Sequence, residues 1–218
     1  MIYLDYNATT PVDQRVLDAM MPYFTELFAN ASSNHAPGHE ANKAVKNARQ
    51  RVADLIHAEP YELVWTSGAT EAINLALKGL FEMYRHKRNH IITVQTEHKA
   101  VLDVCKYLEE KGARVTYLPV QTDGLLDLNE LGKHLTNETL VVAVMMVNNE
   151  TGVIQPVADV AALTHEYGAY FMTDATQAYG KMPIDVQAMD LDLVAFSGHK
   201  ISAPKGIGGL YVRNRRPI

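Results

Sequence analysis

Cysteine is nearly missing from this chain. A single thiol, Cys105, among 218 residues excludes an intrachain disulfide and makes a cytoplasmic location the expectation. Long apolar runs are missing too: no stretch approaches the roughly 18 to 20 continuous apolar residues that a membrane span requires. The start, Met1-Ile2-Tyr3-Leu4-Asp5, has neither the basic region nor the apolar stretch of a secretory signal. Positive charge is in deficit, with a formal net charge of −5, and the dense basic run is confined to Arg213-Asn214-Arg215-Arg216. Nucleic-acid binding therefore has no support. Neither the Gly-x-Gly-x-x-Gly of a dinucleotide fold nor the Gly-x-x-x-x-Gly-Lys-Ser/Thr of a triphosphate loop occurs, and Gly206-Ile207-Gly208-Gly209 precedes a strand, the wrong context for a phosphate loop. Among the nine histidines, His35/His39 bracket Pro37-Gly38 and His86/His90 lie in a basic, polar connection. Neither pair has a carboxylate in a zinc pattern, so no metal is expected. Internal repeats and low-complexity linkers are absent, which leaves a chain long enough for one α/β domain with a substantial core.

What is present alternates between two periods. Thr10 is placed to cap a helix with Pro11 in its first turn, and Val16, Leu17, Met20, Phe24, Leu27 and Phe28 continue it at helical spacing. Asn30 to Gly38 reads as a polar loop, and a second helix is predicted from about His39 to His57. Strands are predicted over 62–65, 90–94, 114–119, 140–147, 169–173, 191–196 and 207–212, with helices over 69–85, 100–111, 127–135 and 156–167 between them. Apolar strands without polar alternation, separated by amphipathic helices, indicate a mainly parallel sheet covered on both faces.

Ligands of such sheets sit at the carboxyl ends of strands. Four segments fall there: Ser67-Gly68-Ala69-Thr70, Asn148-Asn149-Glu150, Asp174-Ala175-Thr176-Gln177 and Ser197-Gly198-His199-Lys200. The first opens a helix, where free N–H groups and the helix dipole suit a phosphate, although a plain Ser/Thr cap explains it as well when taken alone. Asp174 is an acid at the exit of a buried strand, costly unless paired; a protonated ring nitrogen would be such a partner, and capping the next turn is the other reading. His98, just past a strand, could stack on a flat ring, relay protons or serve as a cap. Lys200, between a buried strand and a Pro/Gly turn, is poorly placed for a solvated charge, and lysine is the residue that forms imines with carbonyl compounds. Cys105 lies in a helical stretch with no constellation around it and is read as structural.

The motifs Leu4-Asp5-Tyr6-Asn7-Ala8-Thr9-Thr10, Ser32-Ser33-Asn34-His35, Thr66-Ser67-Gly68-Ala69-Thr70-Glu71, Thr96-Glu97-His98, Val147-Asn148-Asn149-Glu150, Asp174-Ala175-Thr176-Gln177 and Ser197-Gly198-His199-Lys200 resemble, in order and spacing, those of the cysteine desulfurases. These are pyridoxal-phosphate enzymes of the class-V aminotransferase group, and the resemblance covers essentially the whole chain. It implies a seven-stranded-type sheet, the large domain of the fold type I pyridoxal-phosphate transferases. It further implies that Lys200 would bond the cofactor aldehyde and that His98 would stack on the ring and act in proton transfer. Asp174 would pair with the ring nitrogen. Gln177 and Asn149 would lie near the phenolic oxygen and the substrate, and Ala69, Thr70, Ser197 and His199 would hold the phosphate. Ala29-Asn30-Ala31 where the family often has Gly-Asn-Pro, Met146 for histidine and Thr151 for isoleucine depart from the pattern without touching this set.

Family members are considerably longer. The resemblance thus implies that residues 1–218 are the cofactor-binding large domain, with about 1–15 belonging to a small domain absent from the chain. The nucleophilic cysteine, the arginine that grips the substrate carboxylate and a phosphate ligand contributed across a dimer interface would be absent with it. The implied activity converts L-cysteine to L-alanine and passes the sulfur on, for iron–sulfur clusters or tRNA thiolation, with this segment inactive alone. A homodimer and a sulfur-acceptor or scaffold protein are the implied partners, with neither nucleic acid nor membrane. Selenocysteine lyase or another class-V lyase, or a non-catalytic fragment, are the alternatives.

Overall fold

The computed structural model describes residues 2–214, so Met1 and the Arg215-Arg216 part of the basic run lie outside it. In chain order the elements are α1 (Gln14–Met20), α2 (Pro22–Thr25), α3 (Ala36–Asp54), β1 (Leu63–Thr66), α4 (Ala69–Tyr84), β2 (His90–Val94), α5 (Lys99–Glu110), β3 (Arg114–Leu118), α6 (Leu128–His134), β4 (Thr139–Ala143), α7 (Val157–Glu166), β5 (Tyr170–Asp174), β6 (Leu193–Ser197) and β7 (Gly208–Val212). The strands form one seven-stranded sheet in the order β1-β7-β6-β5-β4-β2-β3. Strands β2 to β6 pair in parallel, and β7 runs antiparallel to both β6 and β1. The expected mainly parallel sheet is what forms.

Why the strands show no polar alternation is visible in the two cores. Successive residues point to opposite faces, and both faces are covered. Ile92, Val142, Phe171 and Val194 pack with Leu131 of α6 and Val160 of α7, while their neighbours Ile91, Val141, Met172 and Ala195 pack with Ile73 and Leu77 of α4 and Val104 of α5. Each residue of the central strands therefore meets an apolar layer whichever way it points, while the edge strands β1 and β3 keep exposed positions such as Val64 and Arg114. Burying a Val, Leu, Ile or Phe in this way contributes about 1.5–3 kcal/mol each. Tyr179 and Phe196 add a ring stack at 4.1 Å and 10° in the first of these layers, worth about 0.5–1.5 kcal/mol beyond area.

Several boundaries move from those the sequence predicts, each for a local reason. Thr10 caps nothing: its N–H and hydroxyl both donate to the carbonyl of His199, at 2.9 and 2.8 Å. The first helix starts later, where the Asp13 side chain accepts from the N–H of Arg15. Pro22, which cannot sit inside a helix, splits the expected single helix into α1 and α2. The second helix begins three residues early because His35 Nδ1 accepts from the N–H of Gly38 at 3.1 Å and Pro37 fits the first turn. Gly38 is required there, since a Cβ would lie 2.3 Å from the Ser33 carbonyl oxygen. The long strand predicted to reach Val147 pairs with β2 only as far as Ala143. Beyond it, Val144 and Met146 still donate to Met172 and Asp174 at 3.1 and 3.0 Å, while β2 has turned away.

Topology places the site. The parallel strands β2, β4, β5 and β6 end at one edge of the sheet. Two reversals, from β6 to β7 and from β7 to β1, bring the end of β1 to that same edge. Gly208, which opens β7, sits in register with both Thr66 of β1 and Ser197 of β6.

Candidate active site

A cavity of about 720 Å³ opens along this edge. Every residue singled out from the sequence for a site role lines it: Ala69, Thr70, His98, Asn149, Asp174, Gln177, Ser197, His199 and Lys200. Cys105 does not; its side chain is fully buried between helix and sheet, and burial pushes its thiol up to about 12.

At one end of the cavity is the start of α4. Gly68 is the cap residue and no side chain accepts from the first turn. The Ser67 hydroxyl, the natural cap in the sequence, is turned to Glu71 instead: the Ser67 N–H and O–H both donate to Glu71 Oε2 at 2.6 Å. A sixteen-residue helix thus presents its first N–H groups and the positive end of its dipole to the cavity without an acceptor from its own cap. Ser197 flanks this start, close enough that a Cβ on Gly68 would lie 3.7 Å from its hydroxyl oxygen. That is the donor set of an anion cradle.

Asp174, the last residue of β5, is 6% exposed, and its Oδ1 accepts from the N–H of Thr176 at 2.9 Å. Burial raises its pKa above the ordinary carboxylate value, opposed by the Thr176 donors and by the charges of His98 and Lys200. Among the described residues no ion pair reaches it. A carboxylate in this position would gain from a cationic N–H donor in the cavity.

Lys200 ends the short 3-10 turn after β6. Its ammonium donates to the carbonyls of Asn7 and Ala8, the latter at 2.8 Å. Partial burial, then the nearby charge of Lys181, lowers its pKa, with Asp174 and Asp5 pulling the other way. An amine that gives up its proton more easily is a better nucleophile at neutral pH. His98 caps α5, Nδ1 accepting from the Ala100 N–H at 3.1 Å, so the neutral ring carries its proton on Nε2. Capping and a cavity role thus coexist in one ring. His199 Nδ1 lies 3.1 Å from Thr9 Oγ1, and burial, with the charges of Lys200 and Lys205, lowers its pKa.

The adjacent asparagines are separated by their bonding. Asn148 is spent on structure: Oδ1 accepts from the N–H groups of Glu150 and Thr151 at 2.9 Å, and Nδ2 donates to Thr96 O at 2.9 Å. Asn149 is the one that lines the cavity. Gln177 Oε1 accepts from Lys181 Nζ at 3.0 Å, which leaves its amide N–H to the Asn7 carbonyl at 2.9 Å.

Residues 5–13 have no site role in the sequence reading, although Leu4 to Thr10 is one of its motifs. Beyond the contacts to Lys200 and Gln177, the Asp13 N–H donates to Ser202 O at 3.0 Å and the Ser202 N–H to Thr10 Oγ1 at 2.8 Å. The segment is strapped across the rim of the site by the Asn7 and Ala8 carbonyls, the Asp13 N–H and the hydroxyls of Thr9 and Thr10.

The sequence pattern of class-V aminotransferases matches residues 2–216. A cysteine desulfurase IscS of Ehrlichia chaffeensis is 56% identical over 216 residues, 99% of this chain and 53% of the relative. The corresponding protein of Rickettsia rickettsii is 52% identical over 215 residues. Among solved structures, a NifS-like protein superposes with a TM-score of 0.96 at 42% identity, over 100% of this chain and 60% of that one. SspA in complex with cysteine superposes equally well, at 41% identity over 63% of its length. The chain spans about half the length of the curated relatives it matches. It belongs to the class-V aminotransferase family of pyridoxal-phosphate enzymes, and the relatives it matches are cysteine desulfurases.

Proposed function

We propose that this chain is the cofactor-holding part of a cysteine desulfurase, in which L-cysteine and a protein thiol become L-alanine and a persulfide. The C–S bond of cysteine breaks, an S–S bond forms on the accepting thiol, and the displaced thiol proton balances the hydrogen gained by the alanine methyl. One observation carries this reading: Lys200, Asp174, His98 and the uncapped start of α4 converge on one cavity.

The residues present fit pyridoxal phosphate. The first N–H groups of α4, at Ala69 and Thr70, would hold its phosphate with Ser197 and His199. Asp174, which no ion pair reaches among the described residues, would accept from a protonated ring nitrogen. Lys200 Nζ would hold the aldehyde carbon, and Gln177 and Asn149 would offer amides to the phenolic oxygen and the substrate. When bound, the group supplies an electron-withdrawing ring that stabilises negative charge on the substrate carbon. His98 Nε2, the ring nitrogen that capping α5 leaves unused, would be the atom that holds or moves a proton.

The acceptor thiol is not Cys105, which is fully buried with its pKa pushed up to about 12. A reduced acceptor thiol suits a cytoplasmic protein. Helices α1 and α2 bury none of their residues, and Phe24 and Phe28 are 66% and 75% exposed, which supports a homodimer or a docked further domain on this face.

The test is spectroscopic. Pyridoxal phosphate added to the 218 residues is expected to give an absorbance band at roughly 420 nm that Lys200→Ala abolishes. An unchanged band in Lys200→Ala would remove the lysine from its role. The same 218 residues are expected to release no sulfide from L-cysteine with reductant; turnover sustained in Cys105→Ser as well would refute the thiol argument.

A further inference from the structure

Beneath the cavity, and outside its lining, lies a carboxyl that the proposed chemistry does not use. Glu97 is 6% exposed, sits immediately before His98, and its Oε1 accepts the N–H of Met145 at 2.5 Å. Its other oxygen, Oε2, is buried with no hydrogen-bond partner among the described residues. In the parallel pairing of β4, the N–H groups of Val144 and Met146 point towards β5, at Met172 and Asp174. The N–H of Met145 therefore points the opposite way, towards β2. The β2 backbone has turned off by then, and the Glu97 side chain takes the place of its missing carbonyl. One residue away, Asn148 Nδ2 donates to Thr96 O at 2.9 Å and ties the same two segments again.

We propose that Glu97 and Asn148 are positioning residues, a two-point clamp that joins the strand end carrying His98 to the strand end carrying Met145 and Asn149. The clamp sets the width of the cavity between those side chains, since His98, Met145 and Asn149 all line it. Both ties act on segments past the last ladder pair between β2 and β4, at Thr93 and Ala143. No ladder pair of the sheet fixes their separation at that depth.

The chemistry of the clamp is that of a neutral acid. Burial pushes the Glu97 carboxyl well above the usual carboxylate range, and the negative charge of Asp174 adds to this, while the Met145 N–H pulls against it. A buried carboxylate with one oxygen unpartnered is the costlier state, and a neutral carboxyl with one unpartnered O–H the cheaper one. A neutral Glu97 also keeps a second full negative charge away from Asp174. Glutamine, neutral and of the same shape, therefore preserves the Met145 bond and the charge state. Aspartate, one methylene shorter, withdraws the acceptor from Met145.

The experiment rests on the cofactor-platform reading and separates its failure from that reading's. The native chain is first titrated with pyridoxal phosphate; no band there is a failure of the platform reading alone. Then Glu97→Gln, Glu97→Asp, Glu97→Ala and Asn148→Ala are compared by two readouts: the His98 imidazole NMR shift without cofactor, and the dissociation constant and band position with it. Glu97→Gln is expected to match the native chain within about two-fold. Glu97→Asp is expected to move the His98 resonance and weaken cofactor binding by about ten-fold, the equivalent of about 1.4 kcal/mol for one lost tie, and Asn148→Ala, which also gives up the two bonds its Oδ1 accepts from Glu150 and Thr151, by at least as much. Glu97→Ala should do the same if it folds; the Gln, Asp and Asn148 variants decide the matter if it does not. A mere structural role would lower stability in all four with the His98 resonance and band position unmoved, and that result overturns the proposal. So does Glu97→Gln behaving like Glu97→Asp.

Discussion

Gly208 links the fold to the site, and replacing it with alanine tests the link. It stands in register with Thr66 on one side and Ser197 on the other, where β7 opens. A Cβ there would lie 2.6 Å from Gly68 Cα, 2.6 Å from the Phe196 carbonyl oxygen and 2.8 Å from Gly68 C. All three are backbone atoms, so no rotamer change relieves the overlap. Overpacking of this kind costs about 1–3 kcal/mol. The displacement is borne by Gly68, the cap of α4, whose first N–H groups are the proposed phosphate donors. Losing one hydrogen bond to a charged group is worth about 1.5–3 kcal/mol, or about 10- to 100-fold in affinity. Gly208→Ala is therefore expected to lower the urea midpoint and, separately, to raise the pyridoxal-phosphate dissociation constant by that factor under conditions where the variant is folded. Gly79→Ala is the control: it lies inside α4, where an added Cβ would meet nothing within 4 Å, so it should stabilise by up to about 1 kcal/mol and leave binding alone. A Gly208→Ala chain that binds like the native one would refute the idea that β7 holds the α4 start in place.

Three further outcomes follow from single residues. His90, 2% exposed between Thr139 and Thr116, has its pKa lowered to about 4, first by burial and then by the charges of Arg114 and His134. Its contribution is complete above the ordinary histidine value and is lost as pH falls from about 6.5 towards 4, because the unfolded ring takes up a proton that the folded one refuses. Urea midpoints at pH 7 and pH 5 should differ by more in the native chain than in His90→Asn, and equal differences would count against it. Cys105 should stay unmodified by a thiol reagent in the folded chain and react only on unfolding, as its burial and raised pKa dictate; rapid native labelling would contradict both. Asp174→Asn removes the negative charge that would keep a ring nitrogen protonated and should weaken pyridoxal-phosphate binding and shift the band; an unchanged spectrum would leave the carboxylate with only its bond to Thr176.

The strands and the site side chains were legible because they obey one-dimensional rules. His90–Val94 matches its predicted span, and the four strand ends that carried polar residues are the ones that meet at the cavity. Where reading failed, the deciding partner was a side chain or carbonyl that local pattern does not weigh. Thr10 reads as a helix cap until His199, 189 residues on, claims its hydroxyl. Ser67 reads as a cap until Glu71 claims it, and that reversal strengthens the phosphate reading, because it leaves the α4 N–H groups facing the cavity. The family resemblance alone selects Asn149 over its identical neighbour; the structure adds that the Oδ1 of Asn148 is occupied by the turn at Glu150 and Thr151.

The strap at residues 5–13 shows the same limit in its sharpest form. Lys200 is identifiable from its strand-end position, but its hydrogen-bond partners are the carbonyls of Asn7 and Ala8, atoms that every residue possesses. An ammonium bound to two carbonyls is held in its protonated form, while burial and Lys181 push the amine towards losing that proton. These opposed influences meet on a single nitrogen. For Lys200 to bond an aldehyde carbon, its amine must first leave those carbonyls, which rotation about the bonds of its own flexible stem achieves without moving either backbone segment. The ties at Thr10, Asp13 and Ser202, and the Gln177 amide on the Asn7 carbonyl, do not involve the ammonium, so the strap keeps its hold on the rim when the lysine lets go.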